Sequence, residues 1–178
     1  MATTTLVTVQ EFLQMPEPEG QKLELIGGEV VSMGRGKTPH EVVKKNLNKI
    51  LVVWLAQNPI AELFPETMYQ LDEYNSLIPD LGVMFPGRLS PGSTGWIQAA
   101  PELAIEVVSS ESAERLEQKI ALYLAHGSQS VWVVYPKQRV IRIFDATGQS
   151  RKFELSQTLT DPVLPGFSAP VSSIFEGI

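Results

Sequence analysis

The segment Leu103–Val108 constrains the fold of this chain more than any other part of its sequence. Branched aliphatic residues alternate on one side of the run, and Ala104 and Val108 occupy the other side. A strand that is apolar on both sides is typical of the centre of a sheet that other layers cover on both faces. Glu106 interrupts this run, and a buried carboxylate needs a partner, a proton or a metal ion. The run therefore predicts a central strand that carries one partnered acid.

The rest of the pattern predicts the layers around that strand. Apolar residues recur at helical spacing in two segments, and short apolar runs between turn residues indicate strands. The expected fold is α/β, a mixed central sheet flanked by helices, with an additional N-terminal helix and hairpin. The predicted helices are 8–13, 39–57 and 112–125, and the predicted strands are 23–26, 29–31, 80–85, 103–108, 131–135, 140–144 and 152–155, with a further strand-like but mixed segment at 63–71.

Composition excludes several classes of protein. The chain has 178 residues, 43% of them hydrophobic, a net charge of −6, no cysteine and two histidines. One domain over 1–178 is expected, without disulfides, thiolate metal sites or a multi-histidine cage. No apolar run is long enough to cross a bilayer and the first residues do not read as a signal peptide, so a soluble, cytoplasmic protein is expected. The acidic balance argues against a bulk electrostatic grip on DNA or membrane.

Two more charged residues stand where the pattern favours other types. Asp80 begins a predicted apolar strand directly after Pro79, which would fix the direction of its side chain. On a helical wheel, Lys119 falls inside the apolar arc that includes Leu116 and Ile120. Asp80 and Lys119 are therefore expected to face the same interior as Glu106.

Two acids and an inward lysine favour a metal-and-cation site for a phosphodiester. Carboxylate oxygens suit Mg²⁺, which would activate water and neutralise phosphate charge, and a lysine would stabilise the transition state. Each residue also has an ordinary structural interpretation. Glu106 and Lys119 could form a buried ion pair, Asp80 could be a turn residue, and Lys119 could extend its ammonium to solvent.

The order of these residues resembles the PD-(D/E)xK nuclease superfamily. Pro79-Asp80 and then Glu106 supply the two acids of that motif. The common form has its lysine two positions after the second acid, where this chain has Val108. A known variant form carries the lysine on the following helix, which Lys119 would match.

Nearly the whole chain resembles the Uma-type family of putative restriction endonucleases. The matching segments are 23–30, 79–80, 101–109, 119–123 with Gly127, 132–134 and 164–167, together with His40 at the start of the first long helix. The resemblance implies a restriction-endonuclease-like fold, Asp80 and Glu106 as ligands of Mg²⁺ or Mn²⁺, and Lys119 as the catalytic cation.

Three further residues are candidates for accessory roles. By resemblance, Glu24 is a further metal ligand or supports one, but it could equally be a solvent-facing hairpin charge. His40 matches a family histidine, and a hydrogen-bonded structural role is the favoured interpretation. Tyr123, one helical turn after Lys119, could orient the lysine, although packing is the simpler expectation.

Three functions compete at this stage. The favoured one is a divalent-metal-dependent endonuclease that hydrolyses DNA as a homodimer, the dimer being expected by analogy. The second is a nuclease-like fold that has lost catalysis and serves as a binding or regulatory module. The third is a small-molecule hydrolase, which no phosphate-binding glycine loop or nucleophile elbow supports.

Overall fold

The computed structural model describes residues 6–16, 18–19, 21–34, 36–89 and 96–178. Its helices are α1 (Val9–Phe12), α2 (Thr38–Gln57), α3 (Ala113–Ala125) and α4 (Val171–Ile174). Its strands are β1 (Lys22–Ile26), β2 (Glu29–Met33), β3 (Glu62–Pro65), β4 (Tyr69–Gln70), β5 (Ser76–Leu77), β6 (Leu81–Met84), β7 (Leu103–Val107), β8 (Ser130–Tyr135), β9 (Val140–Asp145), β10 (Ser150–Phe153), β11 (Thr158–Leu159) and β12 (Ala169–Pro170).

A six-stranded mixed sheet forms the centre of the molecule. Its order is β10-β9-β8-β7-β6-β3, and only the β7–β8 pair is parallel among its described strands. That parallel pair needs a crossover, which α3 supplies between β7 and β8. Every residue of β7 is buried, so the run that is apolar on both faces is a central strand as predicted.

Two apolar cores cover the two faces of this sheet. On one face, α2 packs against side chains such as Ile105 and Trp132, and the C-terminal segment closes the same core through Leu164 and Phe167. The Phe167 ring lies 5.6 Å from that of Trp132, centroid to centroid. On the other face, α3 packs on alternate residues of β7 and β8, a core that includes Ala104. The α3 face is the one that also carries Glu106.

A second, four-stranded sheet of order β2-β1-β5-β4 lies beside the α3 core. The β1–β2 hairpin turns through Gly27 and Gly28, both at positive φ, where glycine is least strained. The short helix α1 begins with a capping box between Thr8 and Glu11. Its apolar side packs against β1, which fixes the hairpin next to the central sheet.

The predicted fold class is confirmed: the chain has a mixed central sheet, flanking helices and an N-terminal helix with a hairpin. The last predicted strand is displaced, because β10 spans Ser150–Phe153 rather than 152–155. The predictions missed β5, β11, β12 and α4, all of which are only two to four residues long. None of the described helices is long and apolar enough to span a membrane.

Candidate active site

The pairing of β6 with β7 brings the two predicted acids together. Leu81 lies opposite Ile105, so extending this antiparallel register by one residue places Asp80 opposite Glu106. Side chains at opposed positions share one face of a sheet, with Cβ atoms roughly 4.5–5.5 Å apart. Asp80 Oδ2 also accepts a hydrogen bond of 2.8 Å from the backbone N–H of Val107, which ties it to the neighbour of Glu106.

Lys119 reaches this face from α3 and lies between two buried carboxyl groups. Its Nζ is 2.7 Å from Glu106 Oε1 and 3.1 Å from Glu24 Oε1, and its side chain is 0% exposed. The ammonium therefore forms ion pairs with two carboxyl groups at once. Tyr123 lies one turn further along α3, and its hydroxyl donates to Glu106 Oε1 at 2.8 Å. We call Glu24, Glu106, Lys119 and Tyr123 the site cluster.

The charges of the site cluster do not balance, since two carboxyl groups share one lysine. Burial raises the pKa of Glu106 to about 8, although Lys119 acts in the opposite direction. Burial disfavours the charged form of Lys119, but the adjacent carboxylates, chiefly that of Glu106, outweigh it and raise the pKa of Lys119. The lysine therefore stays protonated, and the excess acid is relieved by a proton on Glu106 or by a further cation.

His40 lies in the first turn of α2 and contacts Asp80. Its Nε2 lies 3.1 Å from Asp80 Oδ1 and 3.2 Å from Oδ2, and its Nδ1 lies 3.1 Å from Glu41 Oε1. Burial would lower the pKa of His40, but the hydrogen bonds and charges of Asp80 and Glu41 outweigh burial and raise it. Two groups therefore hold the Asp80 carboxylate in place, the His40 imidazole and the backbone N–H of Val107.

Asp80 and Glu106 lie on the wall of a cleft of about 640 Å³. His40, Glu41, Lys44, Glu66, Glu111 and Arg115 are among the other lining residues. Of the described residues that form the site cluster, only Glu106 lines the cleft, and Lys119 and Glu24 lie behind it. In this arrangement Lys119 acts on the cleft through Glu106.

Sequence analysis missed three acids that line this cleft, Glu41, Glu66 and Glu111, and the last of these lies next to the central strand. Glu111 follows β7 in the segment that leads into α3, and burial raises its pKa. Its Oε2 is buried without a hydrogen-bond partner, as is the hydroxyl oxygen of Ser109 nearby. The available signal was the polar run 109–112 directly after the buried strand, at the end where Glu106 lies.

The donor set fits a hard divalent cation. Asp80 and Glu106 offer carboxylate oxygens at the cleft wall, and Glu24 Oε2 and Glu111 Oε2 are buried without hydrogen-bond partners. Within the described residues, no three acidic or histidine side chains form a ready-made metal cage. This agrees with the habit of Mg²⁺, which uses one or two carboxylates and completes its shell with water and substrate phosphate.

The structure decides between the open interpretations of the accessory residues. Glu24 is fully buried, so the solvent-facing alternative is wrong; its Oε1 accepts a 2.7 Å hydrogen bond from the N–H of Ile78. Tyr123 is buried, but it also donates to Glu106 rather than only packing, and it does so without orienting Lys119 directly. The alternative that Lys119 extends to solvent is wrong as well, because its side chain is fully buried.

Comparison with known proteins places the chain in a family. A family model described as "Uma2: Putative restriction endonuclease" matches residues 9–172, which is most of the chain. The chain belongs to the Uma2 family. The resemblance seen in the sequence is thereby confirmed. Among curated proteins there is no match.

A solved structure shares the fold of this Uma2 protein. It is described as a putative nuclease belonging to DUF820 from Anabaena variabilis, and it superposes with a TM-score of 0.84. The match covers 95% of this chain and 97% of the other at 22% sequence identity. At that identity the similarity establishes the fold, and the chemistry of this chain rests on its own residues.

Proposed function

We propose that this chain is a divalent-metal-dependent endonuclease that hydrolyses phosphodiester bonds in DNA. The observation that carries the proposal is the unbalanced pair of buried carboxyl groups around Lys119, at the wall of an open cleft. A purely structural buried ion pair balances its charges, whereas here a surplus buried acid lies at the cleft wall. Membership of a family described as putative restriction endonucleases supports the same reaction.

Asp80 and Glu106 are the proposed metal ligands. When bound there, Mg²⁺ or Mn²⁺ would supply acidification of a water molecule and neutralisation of phosphate charge. The protein contributes fixed geometry: His40 and the Val107 N–H hold Asp80, and Tyr123 holds Glu106. Holding both carboxylates in place reduces the reorganisation needed when substrate arrives.

Lys119 is proposed as a positioning residue that acts through Glu106. Its ammonium offsets part of the negative charge of the two glutamates, so that both can be deprotonated while a divalent ion occupies the cleft. In the reaction, a water oxygen forms a bond to phosphorus as the bond to the leaving oxygen breaks, and the leaving alkoxide takes up a proton. Glu24 supports this arrangement by binding Lys119 and the N–H of Ile78, two residues before Asp80.

The test is cleavage of supercoiled plasmid DNA in the presence of Mg²⁺ or Mn²⁺. We expect nicking by the wild-type protein, and a loss of roughly 10³-fold in Asp80→Asn and Lys119→Met. Lys49→Met is the matched control, since Lys49 is an exposed lysine of α2. Far-ultraviolet circular dichroism verifies that each variant is folded.

Two results would contradict the proposal. Cleavage by both site variants at the wild-type rate would show that the site residues are misassigned. Absence of cleavage by the wild-type protein, with unimpaired Mn²⁺ binding, would favour the alternative of an inactive nuclease-like fold that serves as a binding or regulatory module. The homodimer, the cytoplasmic location and the choice between Mg²⁺ and Mn²⁺ stay predictions.

A further inference from the structure

The lysines and arginines of this acidic chain are unevenly distributed. Residues 137–152 hold five of the 14 basic residues and a single acid, Asp145, whereas the whole chain carries a net charge of −6. This segment comprises the turn after β8, strand β9 and the start of β10. All five basic residues are exposed: Lys137, Arg139, Arg142, Arg151 and Lys152.

Sheet register places two of these cations in line with the candidate active site. Glu106 pairs with Val133, Val133 with Arg142, and Arg142 with Lys152. Residues in such a row point to the same face, so Arg142 and Lys152 share the face of Glu106. At about 4.8 Å per strand, their Cα atoms lie roughly 10 and 14 Å from that of Glu106.

Three clefts with shared lining residues lie between the site and these cations, and we call them together the groove. A second cleft, of about 410 Å³, shares Ser109, Glu111 and Ser112 with the active-site cleft and extends to Arg142. A third cleft then shares Arg142 with the second and includes Lys152. The groove therefore leads from Glu106 across β8 and β9 to the edge of the sheet.

The acidic groups along this path lie mainly at its near end. Glu111 and Glu117 line the second cleft on the side of α3. On the outer strands, Glu154 forms a 2.6 Å ion pair with Lys152. An exposed ion pair contributes little free energy, so Lys152 can exchange Glu154 for a phosphate at low cost. Arg142 forms no salt bridge with any residue in the described part of the chain. Its guanidinium is thus available for a ligand.

We propose that Arg142 and Lys152 form a contact surface for the phosphate backbone of double-stranded DNA beside the scissile bond, an inference that rests on the proposed nuclease function. A duplex rises 3.4 Å per base pair, so cations 10–14 Å from Glu106 match phosphates about three to four base pairs away. Such contacts position the duplex and carry no sequence information. The basic row thus explains how a chain of net negative charge can hold a polyanion.

The test measures binding of a 20-base-pair DNA duplex by fluorescence anisotropy, without divalent metal so that cleavage does not interfere. The variant Arg142→Gln/Lys152→Gln is compared with Arg151→Gln/Lys49→Gln. Arg151 neighbours Lys152 on β10, but its guanidinium lies 5.6 Å from the Phe153 ring, which packs on the opposite core. Both double variants lose two positive charges from exposed positions. A difference in DNA affinity between them therefore reports the position of the charges rather than the net charge.

The logarithm of the association constant falls linearly with the logarithm of the salt concentration. Loss of two phosphate contacts should make this negative slope shallower by about 1.8. At 0.1 M salt this corresponds to roughly tenfold to sixtyfold weaker binding in Arg142→Gln/Lys152→Gln, with less than about threefold loss in the control. Equal losses in both variants, no loss in either, or no duplex binding by the wild-type protein would each overturn the inference. Tighter binding of duplex RNA or of single-stranded DNA would also overturn it.

Cleavage provides a second, separate measurement. In the metal-supplemented assay, Arg142→Gln/Lys152→Gln should raise KM for long duplex DNA and leave kcat unchanged, because neither residue touches the reacting phosphate. Failure of the wild-type protein to cleave, with the binding difference intact, would contradict the proposed nuclease activity and support the contact surface. The failure of one proposal can thus be distinguished from the failure of the other.

Discussion

Two buried charged clusters lie on opposite faces of the central sheet, and they differ in how completely their atoms are partnered. On the α2 face, Asp161 Oδ2 accepts hydrogen bonds of 2.6 Å from the Ser130 hydroxyl and from the Trp132 indole N–H, and its Oδ1 accepts one from the Val163 N–H. On the α3 face, Glu24 Oε2 is buried without a hydrogen-bond partner, and two carboxyl groups share Lys119 Nζ, which lies 2.7 Å from Glu106 Oε1 and 3.1 Å from Glu24 Oε1.

The difference shows what separates a structural charge from a candidate site. Asp161 is buried and both of its oxygens accept hydrogen bonds from the protein, so it stabilises the fold. The site cluster retains unused capacity and opens to a cleft through Glu106. A buried polar group without a hydrogen-bond partner destabilises the folded protein. Such groups are found at functional sites, where a bound ligand supplies the missing partner.

The largest expected effect is on activity and concerns Glu106→Gln. The amide keeps the shape and can still accept from Tyr123, and the raised pKa of Glu106 means that a neutral group is tolerated here. We therefore expect a folded protein whose cleavage rate falls about 10³-fold or more, since a metal ligand is lost. Plasmid cleavage measures this, and a rate within tenfold of wild type would remove Glu106 from the site.

The converse change is Asp161→Asn. An amide oxygen in the place of Oδ2 could still accept from Ser130 and Trp132, but the N–H₂ group would then take the place of Oδ1 and face the donor N–H of Val163. The free energy of unfolding should fall by about 3 kcal/mol, with cleavage per folded molecule unchanged. Urea denaturation checks the stability. A loss of activity in fully folded protein would break the distinction between the clusters.

Divalent metal should stabilise the folded protein by binding at Asp80 and Glu106, and Asp161 should have no part in this effect. At free Mn²⁺ about 100-fold above its Kd, linkage adds about 2.7 kcal/mol to the free energy of unfolding, which raises Tm by roughly 5–10 °C at this chain length. Thermal denaturation with and without a chelator measures the shift. It should persist in Asp161→Asn and vanish in Asp80→Asn; an equal shift in Asp80→Asn would contradict the assignment.

The smallest expected effect concerns Tyr123→Phe, which removes one hydrogen bond to Glu106. We expect a loss of about 1 kcal/mol in stability and a decrease of about tenfold to one hundredfold in cleavage or metal affinity, as for other residues that orient a ligand. Tyr74→Phe is the matched control, since Tyr74 is a partly buried tyrosine outside both the site cluster and the lining of its cleft. A decrease in stability with no change in Mn²⁺ affinity or cleavage would assign Tyr123 to packing alone.

Much of the fold could be predicted from local patterns. The alternation in 103–108, the helical spacing of 39–57 and the capping box before α1 each depend on neighbouring residues, and the structure contains all three elements. The short strands β5, β11 and β12 could not be predicted, because two residues carry no period. They exist only because distant segments offer them backbone partners.

Some residues of the candidate site could be predicted from the sequence and others could not. Asp80, Glu106 and Lys119 were anomalies in otherwise apolar patterns, and the structure brings them to one face of the sheet. Glu24 was ambiguous because a charge in a hairpin strand is normally solvated, and only the packing of β1 beside α3 buries it. Glu111 carried only a weak signal, the polar run 109–112 after the buried strand, since a glutamate in a polar loop is typical of the surface.

By itself, the sequence determined the layers of this protein, the central strand and the need for partners around Glu106, because periodicity and the cost of burying charge act locally. Tertiary structure alone decided which groups meet. Sheet register placed Asp80 opposite Glu106 and aligned Glu106 with Arg142 and Lys152, and helix packing put Lys119 behind the cleft rather than on its wall. Such contacts depend on distances between segments far apart in the chain, which no local pattern encodes.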